Sequence, residues 1–246
     1  MNHYVIDINA DVGEGIGNEA ELMPYISSCN IACGGHAGDK DTMHDIVQLA
    51  KQHKIKIGAH PSFPDKENFG RTKVDMSCAA LFTSLKHQIT DLLNVLYHEN
   101  ATLHHIKPHG ALYNLAAVDE KVANVIIEVV QSMHRPVQLY VPYGSVIAKL
   151  AQGHGIAITY EAFADRNYNN DLTLVSRQNH NALISDENLM LDHVLNMVKH
   201  KKVTSIKGKD IRIEAHTFCV HGDTPNAINL VKKLHEKLSE HEVEIK

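Results

Sequence analysis

Short apolar runs alternate along this chain with stretches whose apolar positions recur at helical spacing. Residues 4–9 read as a strand, and Asp7, Asn9 and Asp11, spaced by two, place three polar side chains on one of its faces. Further strands are predicted over 30–33, 54–59, 103–107, 137–141, 156–160 and 217–220. A helix is predicted over 41–53, where Met43, Ile46, Val47 and Ala50 share a face. Another spans 77–100, where Ser77 can cap a stripe of Leu81, Leu85, Ile89, Leu92, Leu93 and Leu96. Helices are also predicted over 119–133, 144–152, 188–202 and 225–240, the last with Pro225 in its first turn, where a missing N–H costs nothing. Residues 172–176 read as a further short strand, and 203–206 with 211–215 as a hairpin about the turn KGKD. Strand and helix in alternation mean a closed β/α barrel or an open doubly wound sheet.

Polar clusters follow many of the strands: NIACGGHAGD at 30–39, GAHPSFPD at 58–65, KPHGALYN at 107–114, EAFADRNY at 161–168 and CVHGDTP at 219–225. Both architectures build their sites at the carboxyl ends of strands, but an open sheet gathers them at one switch point. Clusters after many separate strands favour the barrel. No Pro/Gly/Ser-rich linker and no internal repeat divides the sequence, so residues 1–246 are expected to form one domain.

Composition narrows the function. The 24 basic residues are scattered and the net charge is −5 with histidine neutral, which gives no nucleic-acid footprint. No apolar run approaches the ~20 residues needed to cross a bilayer, and no basic-then-apolar leader precedes the first strand, so a cytoplasmic protein without membrane contact is expected. The four cysteines make no C-x-x-C pair and are expected to be reduced. Eight of the 19 histidines, His44, His53, His87, His98, His193, His200, His235 and His241, fall on helical or terminal segments and read as solvated surface.

Other histidines carry the chemistry. His36, His60 and His109 each stand just past a strand beside Gly or Pro, and with Asp7 or Asp11 they could hold zinc, iron or manganese. No H-E-x-x-H spacing fixes such a site, so a bound transition metal stays open. Gly34, Gly35 and Gly38, before a helix starting near Asp41, could present free N–H groups to a phosphate, with Asp39 beside them. Glycines 13, 15 and 17 do not make a dinucleotide fingerprint, since Asn18 stands where the third glycine is needed; the Walker spacing and a calcium loop are likewise absent. Glu161 and Asp165 are candidate acid/base carboxylates, and Asp11 and His60 are the favoured proton carriers. Arg166 and Arg177 could clamp a carboxylate. Lys107, His221 and Asp223 complete the expected constellation, and Cys33 and Cys219 lie within the motifs as less favoured nucleophiles.

Taken in order, DINADVGEG, CNIACGGHAGD, IGAHPSFPD, FGR, IKPHGALYN, EAFADRNY, LVSR and CVHGDTP resemble the motif series of the LamB/YcsF family of 5-oxoprolinase A subunits, from about residue 6 to the last helix. The resemblance implies a seven-stranded distorted β/α barrel like that of certain polysaccharide deacetylases and glycosidases. It also implies ATP-dependent opening of 5-oxo-L-proline to L-glutamate together with partner subunits B and C, with ATP as co-substrate and magnesium beside it. Homo-oligomerisation is left open. The chain departs from the family pattern at Gly35, Thr72, His87 and Leu172, which touches substrate fit more than reaction class. The alternatives are a metal-dependent hydrolase on the same barrel and a non-catalytic lactam-binding subunit.

Overall fold

The computed structural model describes residues 3–246. Seven parallel strands close into a barrel: β1 (Tyr4–Val12), β2 (Ser28–Ala32), β3 (Lys56–His60), β4 (Leu103–Ile106), β5 (Gln138–Pro142), β6 (Ile158–Phe163) and β9 (Thr217–Val220), with β9 pairing both β6 and β1. Between β6 and β9, β7 (Lys202–Thr204) and β8 (Asp210–Arg212) form the expected antiparallel hairpin, shorter than the sequence suggests. The carboxyl-terminal β10 (Val243–Ile245) adds to the first residues of β1, Tyr4 to Ile6. It escaped sequence reading because three residues carry no periodicity.

The helices cover the barrel. They are α1 (Glu19–Leu22), α2 (Lys40–His53), α3 (Cys78–His98), α4 (Gly110–Ala116), α5 (Glu120–Gln131), α6 (Val146–Gly153), α7 (Glu187–His200) and α8 (Ala227–Glu240). Caps set their starts: Ser77 accepts from the Ala80 N–H, and Asp119, Ser145 and Asp186 act likewise on α5, α6 and α7. Among the described residues, none of these helices is long and apolar enough to cross a membrane. The short α1 and α4 were not foreseen, since neither offers two full turns of pattern. The strand expected at 172–176 is absent. That segment belongs to an excursion after β6 tied down by single bridges, Arg166 to Leu183 and Tyr168 to Leu174.

Ile6, Ile8, Ala10 and Val12 of β1 join the apolar shell beneath the helices, while Asp7, Asn9 and Asp11 take the alternate face toward the barrel axis. On α3, Leu81, Leu85, Ile89, Leu92 and Leu96 are buried as predicted, together with Gln88. The Gln88 amide accepts from the Ser62 N–H and donates to the Ser62 carbonyl, at 3.0 and 2.9 Å. A buried amide satisfied at both ends fixes the turn that follows His60.

Candidate active site

The barrel interior is polar in layers. At the amino end, Asp7 accepts from Ser28 Oγ at 2.7 Å and Thr217 Oγ1 at 2.5 Å and lies 3.5 Å from Lys56 Nζ, at the start of β3. Asp7 is therefore not in the mouth, where it was expected: it sits two layers below Asp11, at the opposite end of the same strand face. Asn9 fills the middle layer. It donates to Glu161 Oε1 at 3.0 Å and Thr217 Oγ1 at 2.7 Å and accepts from Asn30 Nδ2 at 2.7 Å. It supports the site from beneath. His105, on β4, donates from Nε2 to Asn30 Oδ1 at 2.7 Å and stacks on Tyr140, its ring lying where a Cβ on Gly58 would stand.

Above this layer opens a cavity of about 750 Å³, lined by Asp11, Glu14, His60, Lys107, His109, Tyr113, Glu161, Arg166, Arg177, His221 and Asp223 among others. Lys107 is its buried cation. Its Nζ lies 2.9 Å from Asp11 Oδ1, 2.9 Å from Glu161 Oε1 and 3.0 Å from Cys219 Sγ. Burial would strip its proton, but the charges of Asp11 and Glu161 hold the ammonium well above its ordinary pKa. For Asp11, burial favours the acid, yet His60 and Lys107 hold the carboxyl well below its usual range. Such a firmly paired carboxylate is a weak base. The Tyr113 hydroxyl and Glu161 Oε2, both buried, have no hydrogen-bond partner among the described residues. Cys219 and Cys33 are buried, which pushes the first thiol far up and the second to about 12, so neither is a poised nucleophile.

Two arrangements flank Lys107. On one side, buried Asp165 accepts from His221 Nδ1 at 3.0 Å, from the His221 backbone N–H at 3.0 Å and from Thr224 Oγ1 at 2.6 Å. Burial opposes its ionisation, but His221 and these donors bring its pKa down to about 2. With Nδ1 engaged and the ring stacked on Phe163, His221 turns Nε2 toward the cavity. Asp165 itself lies behind the wall. On the other side, His60 Nε2 is 3.3 Å from Asp11 Oδ2 and 2.9 Å from His109 Nδ1, with Glu14 Oε1 at 3.4 Å from that same His109 nitrogen. His36 is buried outside this wall. It stacks on His109 at 3.7 Å and bonds Glu14 at 3.0 Å.

The glycine turn corrects a second expectation. The Gly34 N–H donates to the Ala37 carbonyl, and the first turn of α2 is occupied by the carboxylate of Asp39, which accepts from Thr42 N and Oγ1, each at 2.8 Å. An N-terminus already holding an anionic side chain is no phosphate cradle. Gly38, at φ +79°, leaves 2.6 Å between a would-be Cβ and the Ala32 carbonyl, and Gly35 packs against Gln88 and Ser62. Asp39, Gly34, Gly35 and Gly38 shape the loop that carries His36. The arginines are also engaged. Arg166 donates to the Val175 carbonyl at 2.6 Å, pinning the excursion after β6. Arg177 makes a bidentate pair with Asp223 at 3.0–3.2 Å, and Arg71 joins the same carboxylate at 2.7 Å.

Residues 6–246 match the LamB/YcsF family. The chain belongs to that family. It is 40% identical to the 5-oxoprolinase A subunit of Alkaliphilus metalliredigens over 98% of this chain and 96% of the relative, and 40% identical to that of Campylobacter jejuni over 98% and 97%. The crystal structure of a lactam utilization protein from Thermus thermophilus superposes with a TM-score of 0.90 at 34% identity, covering 98% of both chains. A putative cellobiose-phosphate cleavage protein from Enterococcus faecalis, at 12% identity and a TM-score of 0.59, shares the fold alone, over 100% of this chain and 97% of the other.

Sequence reading missed Glu14, Tyr113 and Arg71 as parts of this LamB/YcsF cavity. Glu14 had a signal. It stands between Gly13 and Gly15, at φ +73° and +81°, in a turn that bends back over the mouth directly after a strand. Tyr113 lies inside the KPHGALYN cluster, but it stands on a helix too short to show which face it presents.

Proposed function

We propose that this chain opens the ring of 5-oxo-L-proline to give L-glutamate, acting with two partner subunits and drawing on ATP. Support comes from relatives named as the A subunit of 5-oxoprolinase, which align along almost the whole chain. The observation that carries the chemistry is the pairing, across one cavity, of an oriented His221–Asp165 dyad with a buried ammonium.

A five-membered lactam is an unstrained amide with a poor leaving group. Transfer of the terminal phosphoryl group of ATP to the amide oxygen makes the ring carbon electrophilic and releases ADP. Water then adds to that carbon, the carbon–nitrogen bond breaks, and the nitrogen leaves carrying a proton. The acyl phosphate so formed takes a second water and yields glutamate and phosphate. In this scheme His221 Nε2 draws the proton from the attacking water, with Asp165 holding the imidazolium. The Lys107 ammonium faces the charge developing on the amide oxygen. Glu161 Oε2 and the Tyr113 hydroxyl, lacking partners of their own, receive the lactam N–H and its neighbouring polar group. Arg177 or Arg71 exchanges Asp223 for the substrate carboxylate, a bidentate match. Asp11 keeps Lys107 charged rather than moving protons.

The test is glutamate formation from 5-oxoproline by this chain alone and with its two partners, each with and without ATP. Product only from the complete, ATP-supplied mixture supports the reading. The histidine cluster beside Asp11 favours a second reading, hydrolysis of an acyl or amide bond without ATP, which would give product in the ATP-free arm.

A further inference from the structure

The cluster of Glu14, His60 and His109 poses a proton-counting problem that the proposed reaction does not use. His60 Nδ1 lies 2.7 Å from the Lys107 carbonyl and His109 Nε2 lies 3.0 Å from the Phe69 carbonyl. A carbonyl only accepts, so each of these ring nitrogens carries the hydrogen. In the neutral rings the other nitrogens, His60 Nε2 and His109 Nδ1, are bare lone pairs, and they face each other at 2.9 Å. Around them stand two more acceptors, Asp11 Oδ2 at 3.3 Å from His60 Nε2 and Glu14 Oε1 at 3.4 Å from His109 Nδ1. Four acceptors converging in a buried wall repel one another unless a positive species lies among them.

The spacing suits an ion. Metal–ligand bonds of about 2.0–2.2 Å at tetrahedral angles put ligand atoms about 3.3–3.6 Å apart. The separations here run 2.9, 3.3 and 3.4 Å, with 3.9 Å from His60 Nε2 to Glu14 Oε1. Imidazole nitrogens with carboxylate oxygens suit zinc, manganese or iron. His36 completes the arrangement from outside. Its ring lies parallel to His109, 3.7 Å away with planes 3° apart, so both rings cannot aim a lone pair at one ion. It donates instead from Nε2 to Glu14 Oε1 at 3.0 Å, orienting that carboxylate as outer partners of ligands do.

We infer that His60 Nε2, His109 Nδ1 and Glu14 Oε1 bind one divalent first-row transition-metal ion in the wall of the cavity, with Asp11 Oδ2, 3.3 Å from His60 Nε2, at its edge. The four come from the carboxyl ends of β1 and β3 and from the turns after β1 and β4, so the site exists only in the folded barrel. All four residues line the cavity, which leaves a bound ion reachable by a ligand there. The inference stands apart from the substrate assignment, since ion binding needs neither 5-oxoproline nor ATP.

The test is calorimetric titration of the chelator-treated full-length chain with Zn²⁺, and separately with Mn²⁺, alongside metal analysis of the untreated protein. One ion per chain is expected for at least one metal. Glu14→Gln and His109→Phe should weaken binding by more than the ~10–100-fold that loss of an outer partner costs, while His36→Phe, which keeps the stack and loses the N–H, should fall within that range. Circular dichroism establishes that each variant is folded, and the wild-type titration decides the matter if one is not. No stoichiometric uptake of either metal would overturn the inference, leaving a shared proton between the two histidines. Uptake unchanged in Glu14→Gln and His109→Phe would overturn it equally, by placing the ion elsewhere.

Discussion

At the amino end of the barrel, Asp7 accepts from Ser28 and Thr217 and faces Lys56. At the carboxyl end, the Tyr113 hydroxyl, Glu161 Oε2 and the facing nitrogens of His60 and His109 lack complementary partners among the described residues. The two ends use the same kinds of side chain on the same strand faces. They differ in whether the hydrogen-bond accounts close. A closed network specifies the fold, because every buried polar group there is matched inside the chain. An open one, kept at a cost to stability, marks where something from outside completes it. By that criterion the site begins at Asp11 and Glu161 and ends at the rim, and Asp7 lies outside it.

The largest expected effect is at the open end. Replacing His221 by Asn removes the ring nitrogen that faces the cavity, and 5-oxoproline turnover by the reconstituted complex should fall about 100- to 10,000-fold, the usual range for a general base. The fold should survive, since the Asn amide can still donate to Asp165 in place of Nδ1, and circular dichroism checks this. Turnover within about threefold of the parent would reassign the base. Next comes Lys107→Met, which leaves Asp11 and Glu161 buried without their cation. Breaking a buried ion pair costs about 3–5 kcal/mol, read as a fall in the urea midpoint. A loss below ~1 kcal/mol would mean that water reaches these carboxylates and that the cavity is wetter than its burial implies.

How much of this was legible in the sequence follows from the same contrast. The alternation of elements, the barrel and most strand positions could be read, because most strands centre on an apolar run and the longer helices have an apolar stripe and, α8 apart, a capping side chain. The polar residues of the interior could also be found, from Asp7 to Asp223. Depth could not. Asp7, Asn9 and Asp11 share one period and one chemistry, and only the pairing of Asp7 with Thr217 and of Asp11 with Asn30 separates them by height. Saturation could not be read either. Asp39 and the glycines before it looked like an anion cradle until Asp39 proved to fill the helix terminus itself. The arginines looked free until Asp223 and the Val175 carbonyl claimed them.

The closed end supplies the third prediction. Asp7→Asn removes a charge whose hydrogen bonds stay inside the fold, so stability should fall by about 1.5–3 kcal/mol, the range for hydrogen bonds to a charged group. Turnover at a temperature where the variant remains folded should stay within about threefold of the parent. A drop comparable to that of His221→Asn, with the fold intact, would erase the distinction between the two ends.

The smallest effect tests whether the dyad is ionised as the geometry requires. Asp165 is fully buried and its pKa is brought from 3.8 to about 2, so its folded-state value lies below its unfolded one. The unfolded chain therefore binds the proton first as acid is added. The stabilisation from the carboxylate is complete above about pH 4 and is lost as pH falls toward 2. For a shift of this size the loss between pH 5 and pH 3 is about 1 kcal/mol. Asp165→Asn has no carboxylate to titrate, so the stability gap between parent and variant, measured by urea unfolding, should narrow by that amount over the same interval. A gap that stays constant from pH 5 to pH 3 would mean that Asp165 titrates alike in both states. Its hydrogen bonds to His221 and Thr224 would then hold the ring in place without favouring the charge that the proposed base needs beside it.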